Sequence, residues 1–173
     1  MFITLVASVL VGAGWLLVGA AVLTAGSLLD AVDGALARAQ GGGTAFGSFL
    51  DSTLDRVSEA ILYIGIAGWF LFAWSEPQWP VLLTLVALAG SFLVSYSRAR
   101  AEGIGLTASV GLAPRTERLV LVIAGIAIAG LGYEIGLIGA LAIIGVLTTA
   151  TVVQRIWHVW RQSQDAAADT RGN

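Results

Sequence analysis

The stretch DAVDGALARAQGGGTAFGSFLDSTLD, residues 30–55, decides how the rest of the chain is read. It places Asp30, Asp33, Asp51 and Asp55 around a run of three glycines, Gly41 to Gly43, in an otherwise oily chain. Asp30 and Asp33 are three apart and Asp51 and Asp55 four apart. On a helix both spacings put the two carboxylates on one face. The glycine run lets the two helices fold back and face each other, so all four carboxylates are expected to converge. Like charges crowded together away from water repel strongly. A divalent cation removes the conflict, because Mg²⁺ or Mn²⁺ takes oxygen ligands and suits carboxylates that bridge two ions. Paired ions of this kind are a recurrent clamp for phosphoryl chemistry. Helix capping, or surface pairing with Arg38 and Arg56, accounts for one such aspartate but poorly for four at these spacings.

Outward from this stretch the chain is apolar. Of 173 residues 57% are apolar and 12% charged, against about 25% charged in an ordinary soluble domain. The mean hydropathy is +0.88. Runs without a charge cover 1–29, 60–75, 77–97, 119–133 and 135–154, and about 20 apolar residues suffice to span the hydrocarbon. The pattern predicts an all-α, polytopic membrane protein with six transmembrane helices in a single domain, 1–173. Gly and Pro punctuation places the helices at about 2–13, 15–39, 46–73, 80–101, 114–133 and 135–161. The first is a partial helix, apparently truncated, and residues 162–173 read as a frayed tail. The first apolar run is too long for a signal-peptide core and lacks a basic start. With no cysteine, disulfides and thiolate metal sites are excluded.

All nine basic residues are arginines, and in this helix order every one falls on the same side. The other side carries Glu76 and Glu134. The positive-inside rule makes the arginine side cytoplasmic, which puts the aspartates at the cytoplasmic face of a cell membrane. Trp74 and Trp79 then mark one interface, and Trp157 and Trp160 the other. His158, the single histidine, is read as an interfacial residue rather than a ligand. Glycines 125, 130, 136, 139 and 145 are read as helix-packing positions. Cation transporters also hold intramembrane carboxylates, usually near the midplane and often within a repeat. Here the carboxylates lie at one end and no repeat is visible.

The pattern Asp30-x-x-Asp33-Gly34-x-x-Ala37-Arg38, eight residues, Gly47-x-x-x-Asp51-x-x-x-Asp55 resembles the signature of the CDP-alcohol phosphatidyltransferase family at every fixed position. The resemblance runs from about residue 14 onward. It implies a six-helix homodimer in the membrane that transfers a phosphatidyl group from a CDP-linked lipid to an alcohol and releases CMP. It also implies two metal ions, Mg²⁺ or Mn²⁺, bridged by Asp30 and Asp51 and completed by Asp33 and Asp55. Asp55 would be the general base for the acceptor hydroxyl, and Gly34, Arg38 and Thr44 would contact the CDP part of the donor. The residue chemistry agrees: Gly34 permits close approach, and Arg38 can fork onto a phosphate. Set against that resemblance, the family's usual amphipathic leading helix is expected to be missing here. No nucleic-acid partner is expected.

A second cluster, SYSRARAEGIGLTASVGLAPRTERLV at 95–120, together with QR at 154–155, carries Arg98, Arg100, Arg115, Arg118 and Arg155. As a group these suggest an anionic pocket, which an acceptor bearing its own phosphate would need. The positive-inside bias and pairing with Glu102 and Glu117 are the plainer explanation for any one of them. The pattern resembles the phosphatidylinositol phosphate and archaetidylinositol phosphate synthases within the family. That resemblance implies inositol 1-phosphate as acceptor, its phosphate held by Arg98, Arg100, Arg118 and Arg155, with Ser95 and Arg115 as helpers. Phosphatidylglycerophosphate synthases, which use glycerol 3-phosphate, share the scaffold and are the alternative. An inactive, shortened member is a further one. Glu59, four residues after Asp55, reads either as support to the metal site or as a partner of Arg56.

Overall fold

The apolar runs fold as helices. The computed structural model describes residues 1–39, 44–112 and 114–172, with the side chains of 32–39 and 166–172 left out of that description. Among the described residues there are six helices and no strand: α1 (Phe2–Gly12), α2 (Leu16–Ala39), α3 (Ala45–Ala73), α4 (Gln78–Glu102), α5 (Arg115–Gly130) and α6 (Ile135–Gly172). The glycine fold-back at 41–43 lies outside the described residues.

Local chemistry sets the helix ends. Thr44 caps α3, its Oγ1 accepting the Gly47 N–H at 3.0 Å, which satisfies one of the orphan donors of the first turn. α4 starts at Gln78 rather than near Pro80, because a proline in the first turn breaks no helical hydrogen bond. Gly14 at φ +85° and Gly132 at φ +95° turn the chain from α1 into α2 and from α5 into α6. Both adopt the left-handed conformation that glycine takes without penalty. α6 continues as helix to Gly172, past the bound near 161 expected for it. Three alanines at 166–168, the strongest helix formers, carry it past Arg161.

The six helices make three consecutive hairpins, α1–α2, α3–α4 and α5–α6, and further contacts α1–α3, α2–α5 and α4–α6 join them into a closed ring. Around the ring the order is α1, α2, α5, α6, α4, α3. Close approaches of small residues hold the hairpins together. A Cβ on Gly65 of α3 would fall on Ser8 Oγ and lie 2.5 Å from the Ser8 carbonyl oxygen of α1. Ser8 in turn donates to the Ile61 carbonyl at 2.5 Å. Gly130 meets Leu17, Gly136 meets Ile128, and Gly125 meets Leu137 and Ala140. Gly145 makes ordinary contact with Val86. Gly139 has open space beside it, so it is not the packing contact expected of it.

α3, α4 and α6 are each long and apolar enough to cross a membrane. The shorter apolar segments are α1 and Leu16–Ala31 of α2, while the 16 residues of α5 reach about 24 Å at 1.5 Å each. Six spans were expected; by length and composition alone three qualify. α1 and α5 are short, and α2 turns acidic toward its end. The outer surface is nonetheless apolar: Phe72 is 89% exposed, Trp79 78% and Val146 70%, an inversion that suits lipid rather than water. Trp157 and Trp160 are exposed as interface anchors should be. Trp74, by contrast, turns inward, its ring edge-on to Phe70 at 5.5 Å between centroids.

Candidate active site

One end of the ring gathers the end of α2, the start of α3, the end of α4, the start of α5 and the latter part of α6. α1 fills the space between α2 and α3 only up to the level where Ile3 meets Gly26. Past that contact lie the acidic end of α2 and the start of α3. Asp30 and Asp51 stand exposed there, and Asp55 is partly buried. Asp55 lies within electrostatic reach of Asp51 and Asp30, so the structure brings these three carboxylates to one region from two helices. Among the described residues, however, no three carboxylates close around a single point. The side chains of Asp33 and Arg38 and the surroundings of Gly34 lie outside the described residues. The donor set itself is all carboxylate oxygen, which fits a hard divalent cation and no soft one. Thr44 sits at the head of α3, its hydroxyl engaged as the cap.

Beside the aspartates runs a buried ionic network centred on Glu59. Arg118 donates to Glu59 Oε1 through Nε at 3.3 Å and Nη2 at 3.1 Å. Arg56 donates to Glu59 Oε2 at 2.7 Å. Arg118 is only 2% exposed, and the Glu59 side chain 11%. A charge so far from water requires such pairing. Arg56 also donates to Ser95 Oγ at 2.5 Å, Ser95 donates to the Ser91 carbonyl at 3.1 Å, and Ser91 lies 3.4 Å from the Tyr63 hydroxyl. The network therefore ties α3 to α4 and α5. Glu59 pairs with Arg56, one of the two roles open to it from sequence, and with Arg118 as well. The sequence offered Arg56 as a partner of Glu59, at the i, i+3 spacing, but gave no sign of its bond to Ser95 of α4.

A cavity of about 50 Å³, lined by Ser27, Asp30, Ser58, Glu59, Arg115 and Arg118 among others, touches both Asp30 and this network. That is room for a few waters. Arg115 pairs with Asp55, Nη1 to Oδ2, at 2.6 Å. Arg98 is exposed and bound to Glu102 at 2.9 Å. Arg100 is exposed on the last turn of α4.

Arg155 is buried and serves the backbone. Its Nε donates to the Val110 carbonyl at 2.9 Å and its Nη1 to the Val94 carbonyl. Thr151 accepts the Leu112 N–H at 3.1 Å, and Gln162 brackets Thr107 through its N–H, hydroxyl and carbonyl. Thr151, Arg155 and Gln162 share one face of α6 and fasten the 103–114 connection to it. Arg155 lies within electrostatic reach of Arg98 and Arg118, and Arg56 within reach of Arg115 and Arg118. Arg98, Arg115, Arg118 and Arg155 are each held differently.

Comparison with known proteins bears directly on this arrangement. Archaetidylinositol phosphate synthase of Methanothermobacter thermautotrophicus is 41% identical over 150 residues, covering 86% of this chain and 73% of that protein. Phosphatidylinositol phosphate synthase of Mycobacteroides abscessus is 42% identical over 141 residues, covering 81% of this chain and 63% of that protein. Two crystal structures of the Mycobacterium tuberculosis phosphatidylinositol phosphate synthase superpose well at 35% identity over 91% of this chain. The complex with manganese and citrate has a TM-score of 0.83 and is covered over 77% of its length. The form with CDP-DAG bound has a TM-score of 0.81 and is covered over 80%. Residues 1–160 match the CDP-alcohol phosphatidyltransferase profile. With the aspartate pattern on α2 and α3, the fold and these likenesses in agreement, the chain belongs to the CDP-alcohol phosphatidyltransferase family.

Proposed function

We propose that this chain transfers a phosphatidyl-type group from a CDP-linked lipid to inositol 1-phosphate and releases CMP. The observation that carries the reading is the meeting of two opposite charge sets at one end of the ring. Asp55 lies within electrostatic reach of Asp30 and Asp51, and beside them Glu59 fixes the buried Arg118. A free alcohol has no use for a fixed guanidinium. An acceptor that brings its own phosphate does. The names of the two relatives and the donor lipid and manganese of the solved structures support this reading. The lipid is CDP-diacylglycerol or CDP-archaeol.

Asp30, Asp33, Asp51 and Asp55 would hold two divalent ions, Mg²⁺ or Mn²⁺, through their carboxylate oxygens. Such ions, when bound, neutralise the pyrophosphate and favour CMP as a leaving group. Gly34 admits the nucleotide closely, and Arg38 and Thr44 bind the donor's phosphates and nucleotide. Arg118, with Arg98, Arg100 and Arg155, would orient the acceptor phosphate. The acceptor oxygen then bonds to the lipid-side phosphorus while the pyrophosphate bond breaks. Asp55 takes the hydroxyl proton, a role that requires hydrogen-bond reach. The site would face the cytoplasm in a homodimer embedded in the cell membrane.

An acceptor panel tests the proposal. Purified protein with Mn²⁺ or Mg²⁺, CDP-diacylglycerol and inositol 1-phosphate is expected to release CMP, and a chelator to stop it. Release with glycerol 3-phosphate and none with inositol 1-phosphate would replace the acceptor while keeping the reaction.

A further inference from the structure

Arg115 and Arg118 stand three residues apart at the start of α5, hence on one face, and both line the cavity beside Glu59. They are held in opposite ways. Arg118 is buried and fixed to Glu59. Arg115 is 41% exposed in its side chain and paired with Asp55 at 2.6 Å. That contact occupies Asp55 Oδ2. A divalent ion ligated by the same oxygen would sit about 2.0–2.2 Å from it, with its double charge close to the guanidinium. Two cations repel at that separation, so Arg115 gives up this oxygen when an ion takes it.

We propose that Arg115 is an exchange residue. It holds Asp55 until a divalent ion claims that carboxylate, and then turns along the face of α5 to join Arg118 on the acceptor's phosphate. The proposal rests on the reading of Asp55 as a metal ligand. Its consequence is that ion and acceptor bind cooperatively, each tightening the other by the same factor. The pair also keeps a lone cation from attracting phosphate esters before the ion is in place.

The test measures binding without CDP-lipid, so that no turnover enters. Inositol 1-phosphate, and glycerol 3-phosphate in parallel, are titrated calorimetrically into the metal-free full chain in detergent. Asp55→Asn is expected to tighten phosphate-ester binding about fivefold or more, because Arg115 is released. Asp51→Asn removes the same charge without freeing Arg115 and is expected to do distinctly less. In the Asp55→Asn, Arg115→Gln double variant the gain is expected to vanish, as a coupled pair requires. Equal effects of Asp55→Asn and Asp51→Asn, or a gain that survives loss of Arg115, would overturn the proposal. A measurement without variants guards against misfolding: Mn²⁺ is expected to tighten the ester on the native chain, and unchanged affinity overturns the exchange. Mn²⁺ binding followed by electron paramagnetic resonance separates the two readings. Mn²⁺ bound by the native chain and lost in Asp55→Asn upholds the metal site even where cooperativity fails.

Discussion

Glu59 is the residue on which the cationic side of the site turns. It carries two guanidiniums on one carboxylate, and hydrogen bonds between charged partners contribute about 1.5–3 kcal/mol each. Glu59→Gln keeps the shape but removes the charge that balances Arg118. The acceptor KM is expected to rise about tenfold or more, with the donor KM nearly unchanged and Glu59→Asp restoring part of the loss. Steady-state kinetics against each substrate checks this, and equal rises in both KM values would count against a positioning role. Asp55→Asn is expected to lower kcat by about 10²-fold or more in a chain that still folds, as size-exclusion and circular dichroism would show. The aspartates were legible in sequence because i, i+3 and i, i+4 spacings fix a helical face whatever the tertiary fold. The partnership of Glu59 with Arg118 was not. It joins residues 59 positions apart, and no local period says which face of α5 turns toward α3. Arg155 was legible as a cation at the right end, but that its donors go to the carbonyls of Val94 and Val110 depends on where the 103–114 loop lies.

Among the elements, the contact of α1 with α3 leaves least room for change. At Gly65 an added methyl would meet the backbone of Ser8, which cannot swing aside as a flexible side chain can. Gly65→Ala is expected to cost about 1–3 kcal/mol and to loosen α1. Gly68, one turn further along α3, has nothing within 4 Å of such a methyl. There Gly→Ala is expected to be neutral, or to stabilise by up to about 1 kcal/mol through helix propensity. Thermal melts of the two variants in detergent make the comparison, and a Gly68→Ala loss as large as that of Gly65→Ala would refute it. The face of α6 that carries Thr151, Arg155 and Gln162 makes a parallel case. Gln162→Ala removes the bonds to Thr107 and is expected to speed limited proteolysis in 103–114 several-fold. Helix number and approximate bounds were readable, since Gly, Pro and charge-free runs punctuate the chain. The errors fell at ends, where one proline is tolerated at the start of α4 and alanines extend α6.

At the scale of the molecule, the ring order was invisible in the sequence. Nothing in local composition says that α1 lies against α3, or that α2 neighbours α5. Those adjacencies put the three carboxylates and the arginine network at the same end. The tight connections, at 13–15, 74–77 and 131–134, all lie at the opposite end. The first hairpin brings Asp30, the second Asp51, Asp55 and Glu59, and the third Arg115, Arg118 and Arg155. No two of them contain a whole site. During synthesis, therefore, the chain is two-thirds made before it has any arginine to set against Glu59 from α5, and the catalytic end is completed only as the last hairpin leaves the ribosome. A nascent chain halted before α5 carries Asp30, Asp51, Asp55 and Glu59 but none of Arg115, Arg118 and Arg155.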